Sequence, residues 1–386
     1  MRVAVEEVAA FRERARAWLA EAEVPGTPLG LDERFAVHRR WQRTLYDAGF
    51  MGIAWPRRFG GQGLTAQHQF AFVDELVRAH APAPIGLIGL DVVGPSIHAF
   101  GTDVQRERFL PRLLSGADIW CQGFSEPGAG SDLASLSTRA EPDGDEFVVT
   151  GAKVWTSWAH EAAWCALLCR TNPTARKHEG ISYLLVDMAS PGITVRPITQ
   201  MTGDAEFNEV FLDHVRVPRA NVLGEVDGGW RIALDTLGRE RGSYTMRRRV
   251  ELEAGLADAV AQLRTAPPAR RSHPRVLEEI GRAHVALRVL EAQTRRTLTR
   301  MLDESGAGPL DSVDKLVLND AEQVVCRAIA ELLGPFRVVP QSRPLGLDAG
   351  RWVHDHYYSR AASIYGGTSQ IQRNIVAERL LGLPRG

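Results

Sequence analysis

Residues 125–132 read Ser-Glu-Pro-Gly-Ala-Gly-Ser-Asp, and this short stretch stands close to the point where the pattern of the chain changes. Its glycines and small side chains leave the backbone bare, so its N–H groups could surround an anion or face a planar ring. A turn-rich connection between two domains would have the same composition. The stretch alone leaves both interpretations open.

The segments on either side of this stretch differ in their periodicity. Before residue 120, apolar residues recur at helical spacing, with Asp32 as the predicted cap of the second helix. The predicted helices there are Val5–Glu23, Arg34–Ala48, Thr65–Arg78 and Val104–Leu114. From Trp230 onward the helical pattern returns, at Trp230–Gln262, Pro274–Asp303, Ser312–Leu333 and Gln370–Leu381, which favours an antiparallel bundle.

Between these helical regions the chain carries short β-prone runs separated by Gly, Asn and Pro turns. The runs are Phe147–Val149, Ala163–Leu168, Ile181–Val186, Ile193–Pro197 and Glu209–Leu212. The pattern predicts a multidomain α+β chain. We expect an N-terminal α-helical domain over 1–119, a middle antiparallel β domain over 120–228 and a C-terminal helical bundle over 229–386.

Composition excludes several classes of protein. The 386 residues carry a formal net charge of -1 without a block of like charge, which argues against a nucleic-acid-binding surface. Four cysteines do not suggest a secreted disulfide scaffold. The start has no signal-peptide pattern, and no apolar run reaches the roughly 20 residues of a membrane span. We expect a cytoplasmic protein with no membrane span.

Two further clusters contain residues suited to binding a cofactor. In Lys153–Trp158 a tryptophan stands beside two hydroxyls and could stack on a flat ring, although a buried strand with two core tryptophans is the commoner arrangement. In Ile364–Gln370 paired glycines lead into a helix, where a phosphate or thioester oxygen could bind. Paired glycines are equally common in loops without function.

Some ionisable residues are candidates for chemistry or metal binding. Glu240 lies on a helix with apolar flanks and could act as a general base, although an exposed, ion-paired glutamate is the commoner case. His354 and His356 lack a third and fourth ligand nearby, so no metal site is expected. Cys165 and Cys169 fall on one side of a strand and are expected in the core.

Together, in this order, the clusters resemble the acyl-CoA dehydrogenase family over nearly the whole chain. The resemblance also covers Ala54–Pro56, Phe59–Gly61 and Asn208–Phe211, and its most specific parts are the loop at 126–132 and the run Gly366–Arg373. It implies a four-helix C-terminal bundle that forms tetramers or dimers. It further implies an FAD cofactor and an acyl-CoA substrate.

The resemblance also implies roles for single residues. Positions matching the family's flavin loop are Gln122, Phe124, Ser125, Gly130 and Ser131, those matching the isoalloxazine contacts are Trp155 and Ser157, and those matching the terminal flavin contacts are Thr368 and Gln370. Ser131, together with Arg241 and Gly367, is also expected to contact the substrate.

The chain departs from the commonest family pattern at the catalytic base. Many members carry that glutamate in a Tyr-Glu-Gly-Thr motif, where this chain has Gly366, whereas others carry it in a Glu-Arg pair on a bundle helix, matched here by Glu240–Arg241. The resemblance therefore implies that Glu240 removes the α-proton and that the N–H of Gly366 binds the thioester oxygen. The β-hydride then passes to flavin N5, giving the trans-2-enoyl-CoA.

A second departure leaves the assembly open. The Arg-x-x-Phe-Gly run with which members contact a neighbour's FAD is missing from residues 264–274, so a heteromer with a different subunit is a candidate assembly. Three functions compete: a dehydrogenase that reduces an electron-transfer flavoprotein, an acyl-CoA oxidase that reduces oxygen, and a non-catalytic partner subunit. The acyl group, and whether CoA or an acyl carrier protein bears it, also stay open.

Overall fold

The computed structural model describes residues 5–28, 30–302, 308–339, 341 and 348–384, without the side chains of residues 5, 6, 239–243, 301 and 302. Its contacts divide the chain into two compact units. The sheet unit comprises Val24–Thr65 and Pro82–Glu240, and the bundle unit comprises Met1–Glu23, Ala66–Ala81 and Arg241–Gly386.

The elements follow one another along the chain with these bounds. The helices are α1 (Val5–Glu21), α2 (Leu31–Asp47), α3 (Ala66–Arg78), α4 (Gly94–Phe100), α5 (Asp103–Leu114), α6 (Gly229–Thr265), α7 (Pro268–Arg271), α8 (Pro274–Leu302), α9 (Leu310–Leu333), α10 (Ala349–Tyr358) and α11 (Ser369–Ile375). The strands are β1 (Trp120–Gly123), β2 (Arg139–Asp143), β3 (Glu146–Ser157), β4 (Trp164–Arg170), β5 (Ile181–Asp187), β6 (Ile193–Ile198) and β7 (Phe207–Pro218). No helix of the described residues is long and apolar enough to cross a membrane.

The strands form one sheet in the order β1-β4-β2-β3-β7-β6, with β5 paired to β4. Pairing is antiparallel between β2 and β3, β3 and β7, β6 and β7, and β4 and β5. The short strand β1 runs parallel to β4, with Cys121 opposite Cys165. The predicted middle β domain is confirmed, and its sheet is mostly antiparallel.

The sheet unit has an apolar layer on each side of β4, whose residues Trp164–Cys169 are all buried. On one side, the rings of Trp120 and Trp164 stack with centroids 5.7 Å apart, and Phe109 of α5 packs edge-on against Trp164 at 4.9 Å. On the other side lie Cys165 and Cys169. Cys165 and Cys169 are free and buried, which confirms their predicted place in the core, and Cys121 and Cys326 are also free and buried.

The bundle unit is built around a core that four helices share. Its buried residues include Leu252 of α6, Leu287 of α8, Val325 of α9 and Trp352 of α10. Gly255 of α6 lets the indole of Trp352 pack directly on the helix backbone, because a Cβ atom at that glycine would lie 2.1 Å from the ring. These contacts confirm the predicted C-terminal four-helix bundle.

Several predictions need correction in detail. Asp32 is not a cap, since α2 begins at Leu31 and no side chain caps its Gly30 N-cap. Asp32 instead lies in the first turn, where its charge complements the helix dipole. Five elements were not predicted: β1, β2, α4, α7 and α10. The first four are short, and β2 exposes four of its five residues, so it carries no apolar alternation.

Candidate functional site

The stretch at 125–132 forms a tight turn that displays its backbone. Glu126 and Ala129 exchange two backbone hydrogen bonds of 3.0 Å each, which places Pro127 and Gly128 at the tip. A Cβ atom at Gly128 or at Gly130 would meet nothing within 4 Å. Gly130 and Ser131 are exposed, so this turn offers bare backbone and one hydroxyl to a ligand.

A buried ion pair ties this turn to strand β3. Lys153 Nζ lies 2.8 Å from Glu126 Oε1 and donates a second hydrogen bond of 3.1 Å to the carbonyl of Phe124. Glu126 also accepts hydrogen bonds from the backbone N–H groups of Ser137 and Thr138 and from the Ser137 hydroxyl. Burial by itself raises the pKa of Glu126, but Lys153 and these donors lower that pKa to about 2.

Sequence reasoning quoted Glu126 and Lys153 but gave neither a role. A signal was present, because Lys153 is a rare lysine in a chain rich in arginine and directly precedes Val154–Thr156, three residues of high β propensity. A charged side chain in such a run is rarely buried unless it is paired. The missing information was the partner, which lies 27 residues away along the chain.

The two tryptophans of the second cluster have different environments. Trp155 is 57% exposed with φ of 59°, a left-handed conformation that a bulky residue rarely adopts. It lies at a register shift between Lys153 and Thr156, where β3 bulges against β7. Trp158, by contrast, packs on Phe35 with ring centroids 5.3 Å apart. The bulge in β3 thus leaves Trp155 exposed, whereas Trp158, directly after the strand, is used for packing.

Four further residues of this unit are expected to bind flavin. Gln122 and Ser125 are partly buried, and the carbonyl of Ser125 accepts a hydrogen bond of 2.9 Å from the N–H of Val154. The ring of Phe124 is in the core against Tyr183, at 5.7 Å between centroids, so only its backbone is available to a ligand. Ser157 is partly buried opposite Phe207 of β7.

In the bundle unit, the paired glycines form a turn that leads into α11. Gly366 and Gly367 have φ of 62° and 89°, values that favour glycine. The side-chain amide of Gln372 donates to both of their carbonyls, at 3.0 and 3.2 Å. Thr368 caps α11 by accepting a hydrogen bond from the N–H of Ile371, and Gln370 is exposed on the first turn.

The segment that replaces the family's Arg-x-x-Phe-Gly run packs within its own unit. Residues Pro268–Arg271 form the short helix α7, which Pro267 precedes. The guanidinium of Arg270 donates to the carbonyl of Leu332, in the last turn of α9. This arginine therefore stabilises the end of a neighbouring helix.

The remaining candidates are the Glu240–Arg241 pair and the histidines considered for metal binding. The backbone of α6 is helical through Glu240 and Arg241, whose side chains lie outside the described residues. Among the described residues no three His, Cys, Asp or Glu side chains come close enough to hold a metal ion. His354 instead stacks on Tyr358, with ring centroids 6.1 Å apart.

Family models cover almost the whole chain. The N-terminal domain model of acyl-CoA dehydrogenase matches residues 5–117, the middle domain model matches 121–215, and the C-terminal domain model matches 227–381. Acyl-CoA dehydrogenase IpdE1 of Mycobacterium tuberculosis is 39% identical over 390 residues, spanning 99% of each chain.

Solved structures give the same result. The chain superposes on a structure described as the Tcur3481-Tcur3483 steroid ACAD with a TM-score of 0.87 and 30% identity, covering 100% of both chains. It matches the ChsE4-ChsE5 complex from Mycobacterium tuberculosis with a TM-score of 0.84 and 31% identity, again covering 100% of both chains. The chain belongs to the acyl-CoA dehydrogenase family, FAD-dependent enzymes that oxidise the CH–CH bond of acyl thioesters.

Proposed function

We propose that this protein converts an acyl-CoA thioester to its trans-2-enoyl-CoA, with Glu240 as the base that removes the α-proton. The observation that carries this assignment is Gly366, a residue without a side chain at the position where many relatives hold the catalytic carboxylate. The Glu240–Arg241 pair on α6 matches the alternative position of the base in the family.

The residues of the sheet unit fit FAD. Trp155 offers an exposed indole face to a flat ring, with the partly buried Ser157 two residues away to bond its polar edge. The turn at 126–131 offers backbone that no Cβ obstructs at Gly128 or Gly130. We assign these residues to holding the cofactor. Thr368 and Gln370 are assigned to flavin contacts on the family resemblance alone. When bound, FAD supplies the two-electron oxidant that accepts the β-hydride.

The roles of the protein groups follow from the chemistry of an acidic α-proton. A carboxylate must approach the α-carbon to about 3 Å, which we assign to Glu240. The thioester oxygen gains negative charge as the proton leaves, and a fixed N–H at Gly366 stabilises that charge without reorganising. Ser131, Arg241 and Gly367 are assigned to binding the rest of the acyl-CoA.

We infer that the acyl group is bulky and that the protein works with a second, different subunit. A relative at 30% identity is described as a steroid ACAD, and Gly366 leaves room that a glutamate side chain would fill. Both of the solved structures reported above are described by pairs of protein names. The missing Arg-x-x-Phe-Gly run supports a different partner subunit that supplies the contacts to FAD. We further propose an electron-transfer flavoprotein as the electron acceptor.

The base assignment is tested by replacing Glu240 with glutamine and mixing the flavin-loaded protein with acyl-CoA without oxygen. Glu240→Gln should keep bound FAD but lose bleaching of the flavin band by about a thousandfold, because general-base catalysis contributes factors of this order. Glu253→Gln, on the same helix and ion-paired to Arg249, is the control and should bleach normally. Bleaching of the Glu240 variant at the wild-type rate would refute the assignment.

The same bleaching measurement tests which acyl-CoA is the substrate and which molecule accepts the electrons. A panel of straight-chain, branched and polycyclic acyl-CoAs should bleach the wild-type protein fastest with a polycyclic member. Admission of air after reduction separates the oxidase alternative, which predicts rapid reoxidation with peroxide release. Slow reoxidation in air, together with fast reoxidation by an electron-transfer flavoprotein, supports the dehydrogenase.

A further inference from the structure

The bundle unit contains a pair of tyrosines that the reaction described above does not use. The hydroxyl oxygens of Tyr244, on α6, and Tyr365, directly before Gly366, lie 2.6 Å apart. Their rings meet edge to face, with centroids 5.9 Å apart and an interplanar angle of 90°. This distance lies at the short end of the usual range for a hydrogen bond between two hydroxyls.

The surroundings keep both phenols protonated. Burial raises the pKa of Tyr244 and that of Tyr365 above the usual value for tyrosine, and the carboxylate of Glu322 raises both further. Lys315 of α9, only 3% exposed, places its Nζ 3.9 Å from the centroid of the Tyr365 ring. The ring of Tyr365 is thus held by a hydroxyl from α6 and by a cation from α9.

These contacts fix Tyr365, and the peptide bond between Tyr365 and Gly366 carries the N–H of Gly366. On the other side of the paired glycines, the Gln372 amide holds both glycine carbonyls, and the Ser369 hydroxyl accepts a hydrogen bond of 3.1 Å from Asn319 of α9. The turn is therefore anchored at both ends. Its two glycines would otherwise be the least constrained residues of the segment, because glycine loses the most conformational freedom on ordering.

We propose that Tyr244 and Tyr365 are positioning residues that act through the backbone, their shared hydrogen bond fixing the N–H of Gly366 for the thioester oxygen. This inference rests on the proposed function. Neither phenol needs to touch the substrate. Gly366 has no side chain whose packing could fix the direction of its N–H, so the tyrosine pair fixes it. An N–H misplaced by a fraction of an ångström loses much of its effect on the negative charge that develops on the thioester oxygen.

The test removes one hydroxyl at a time from the flavin-loaded protein. Tyr365→Phe and Tyr244→Phe should each lower kcat about tenfold with KM changed less than about twofold, because the lost interaction acts mainly in the transition state. The double variant should be no slower than the slower single variant, because both replacements break the same bond. Tyr357→Phe, at a phenol 41% exposed on α10, is the matched control and should behave as wild type.

A spectroscopic readout separates positioning from a merely structural role. The 3-thia analogue of the best substrate has an acidified α-proton, and its enolate gives a long-wavelength charge-transfer band with oxidised flavin. Because a well-placed N–H stabilises that enolate, both tyrosine variants should show a smaller band than wild type at equal saturation, while urea unfolding shows that both variants remain folded.

Each alternative result is decisive. A full band and wild-type kcat in both variants would overturn the positioning role while leaving the proposed function intact. Loss of kcat in proportion to loss of stability would overturn it as well, since the pair would then only support the fold. No band and no bleaching in the wild-type protein would overturn both proposals together.

Discussion

At the residue scale, the pairing of Glu126 with Lys153 determines how the turn at 125–132 is held. Both side chains are nearly inaccessible, at 5% and 0% exposure. A buried pair of this kind gains little over an apolar replacement of both members, but removing one member leaves a charge without a partner. The pair therefore adds little to the stability of the protein, but neither residue can be replaced singly without a large loss of stability.

Lys153→Met should lower the free energy of unfolding by about 3 kcal/mol, because it leaves the Glu126 carboxylate buried and unpaired. Glu126→Gln in the same chain should restore part of that loss. Urea titration monitored by tryptophan fluorescence measures both effects. Lys177→Met breaks an exposed pair with Asp132, at 51% and 60% exposure, and should cost less than about 1 kcal/mol. Equal costs for the two lysine variants would contradict the prediction.

The same pair predicts a dependence on pH with a definite sign. The pKa of Glu126 is about 2 in the folded protein, below its value in an unfolded chain. Its contribution to stability is therefore complete above about pH 4.3 and is lost as the pH falls towards 2. Glu126→Gln should remove this part of the acid dependence of unfolding.

At the element scale, two mid-helix glycines have opposite surroundings. A Cβ at Gly255 of α6 would lie 2.1 Å from the Trp352 ring, whereas one at Gly281 of α8 would meet nothing within 4 Å. At Gly255 the packing of Trp352 compensates for the low helix propensity of glycine, whereas at Gly281 no contact compensates for it.

Gly255→Ala should destabilise the protein by about 2 kcal/mol, because the added methyl group forces Trp352 out of its place. Gly281→Ala should stabilise it by up to about 1 kcal/mol through helix propensity alone. Urea unfolding of the two variants beside wild type measures both changes. A stabilised Gly255 variant would show that Trp352 has room to move.

Helix and strand predictions succeeded where the hydrophobic period was long and failed where the segment was short or contained locally unfavourable residues. The helices α8 and α9 are long enough for their apolar faces to be read directly from the sequence. Strand β3 was predicted only at Phe147–Val149, because its continuation to Ser157 includes a glycine, a buried lysine and the left-handed Trp155. Each is unfavourable locally and is explained only by a tertiary partner or a ligand.

At the scale of the whole molecule, the order of helical and β regions could be predicted from the sequence. Which segments of the chain pack together into each of the two compact units could not. Helices α1 and α3 belong to the bundle unit, where Arg16 of α1 and Glu75 of α3 form an ion pair of 2.9 Å. Periodicity reports the burial of a face but not which distant segment covers it. The domain limits 1–119, 120–228 and 229–386 stay a prediction.

The proposed second subunit gives a prediction at this scale. Co-expressed with a second acyl-CoA dehydrogenase chain from the same organism, this protein should co-purify with it and retain more FAD per chain than it does alone. Light scattering gives the mass, and the ratio of flavin to protein absorbance gives the occupancy. A homotetramer that carries one FAD per chain without any partner would contradict the prediction.

The amide of Gln372 has a consequence for the evolution of the chain. The side-chain nitrogen of Gln372 donates to two carbonyl oxygens at the glycine turn, so this position requires a hydrogen-bond donor on a side chain as long as that of glutamine. Glutamate has the same shape and lies a single nucleotide away in the genetic code, yet its oxygens would repel both carbonyls. A mutation that looks conservative on paper is therefore among the least tolerable in this segment, and lineages that keep the turn should rarely carry it.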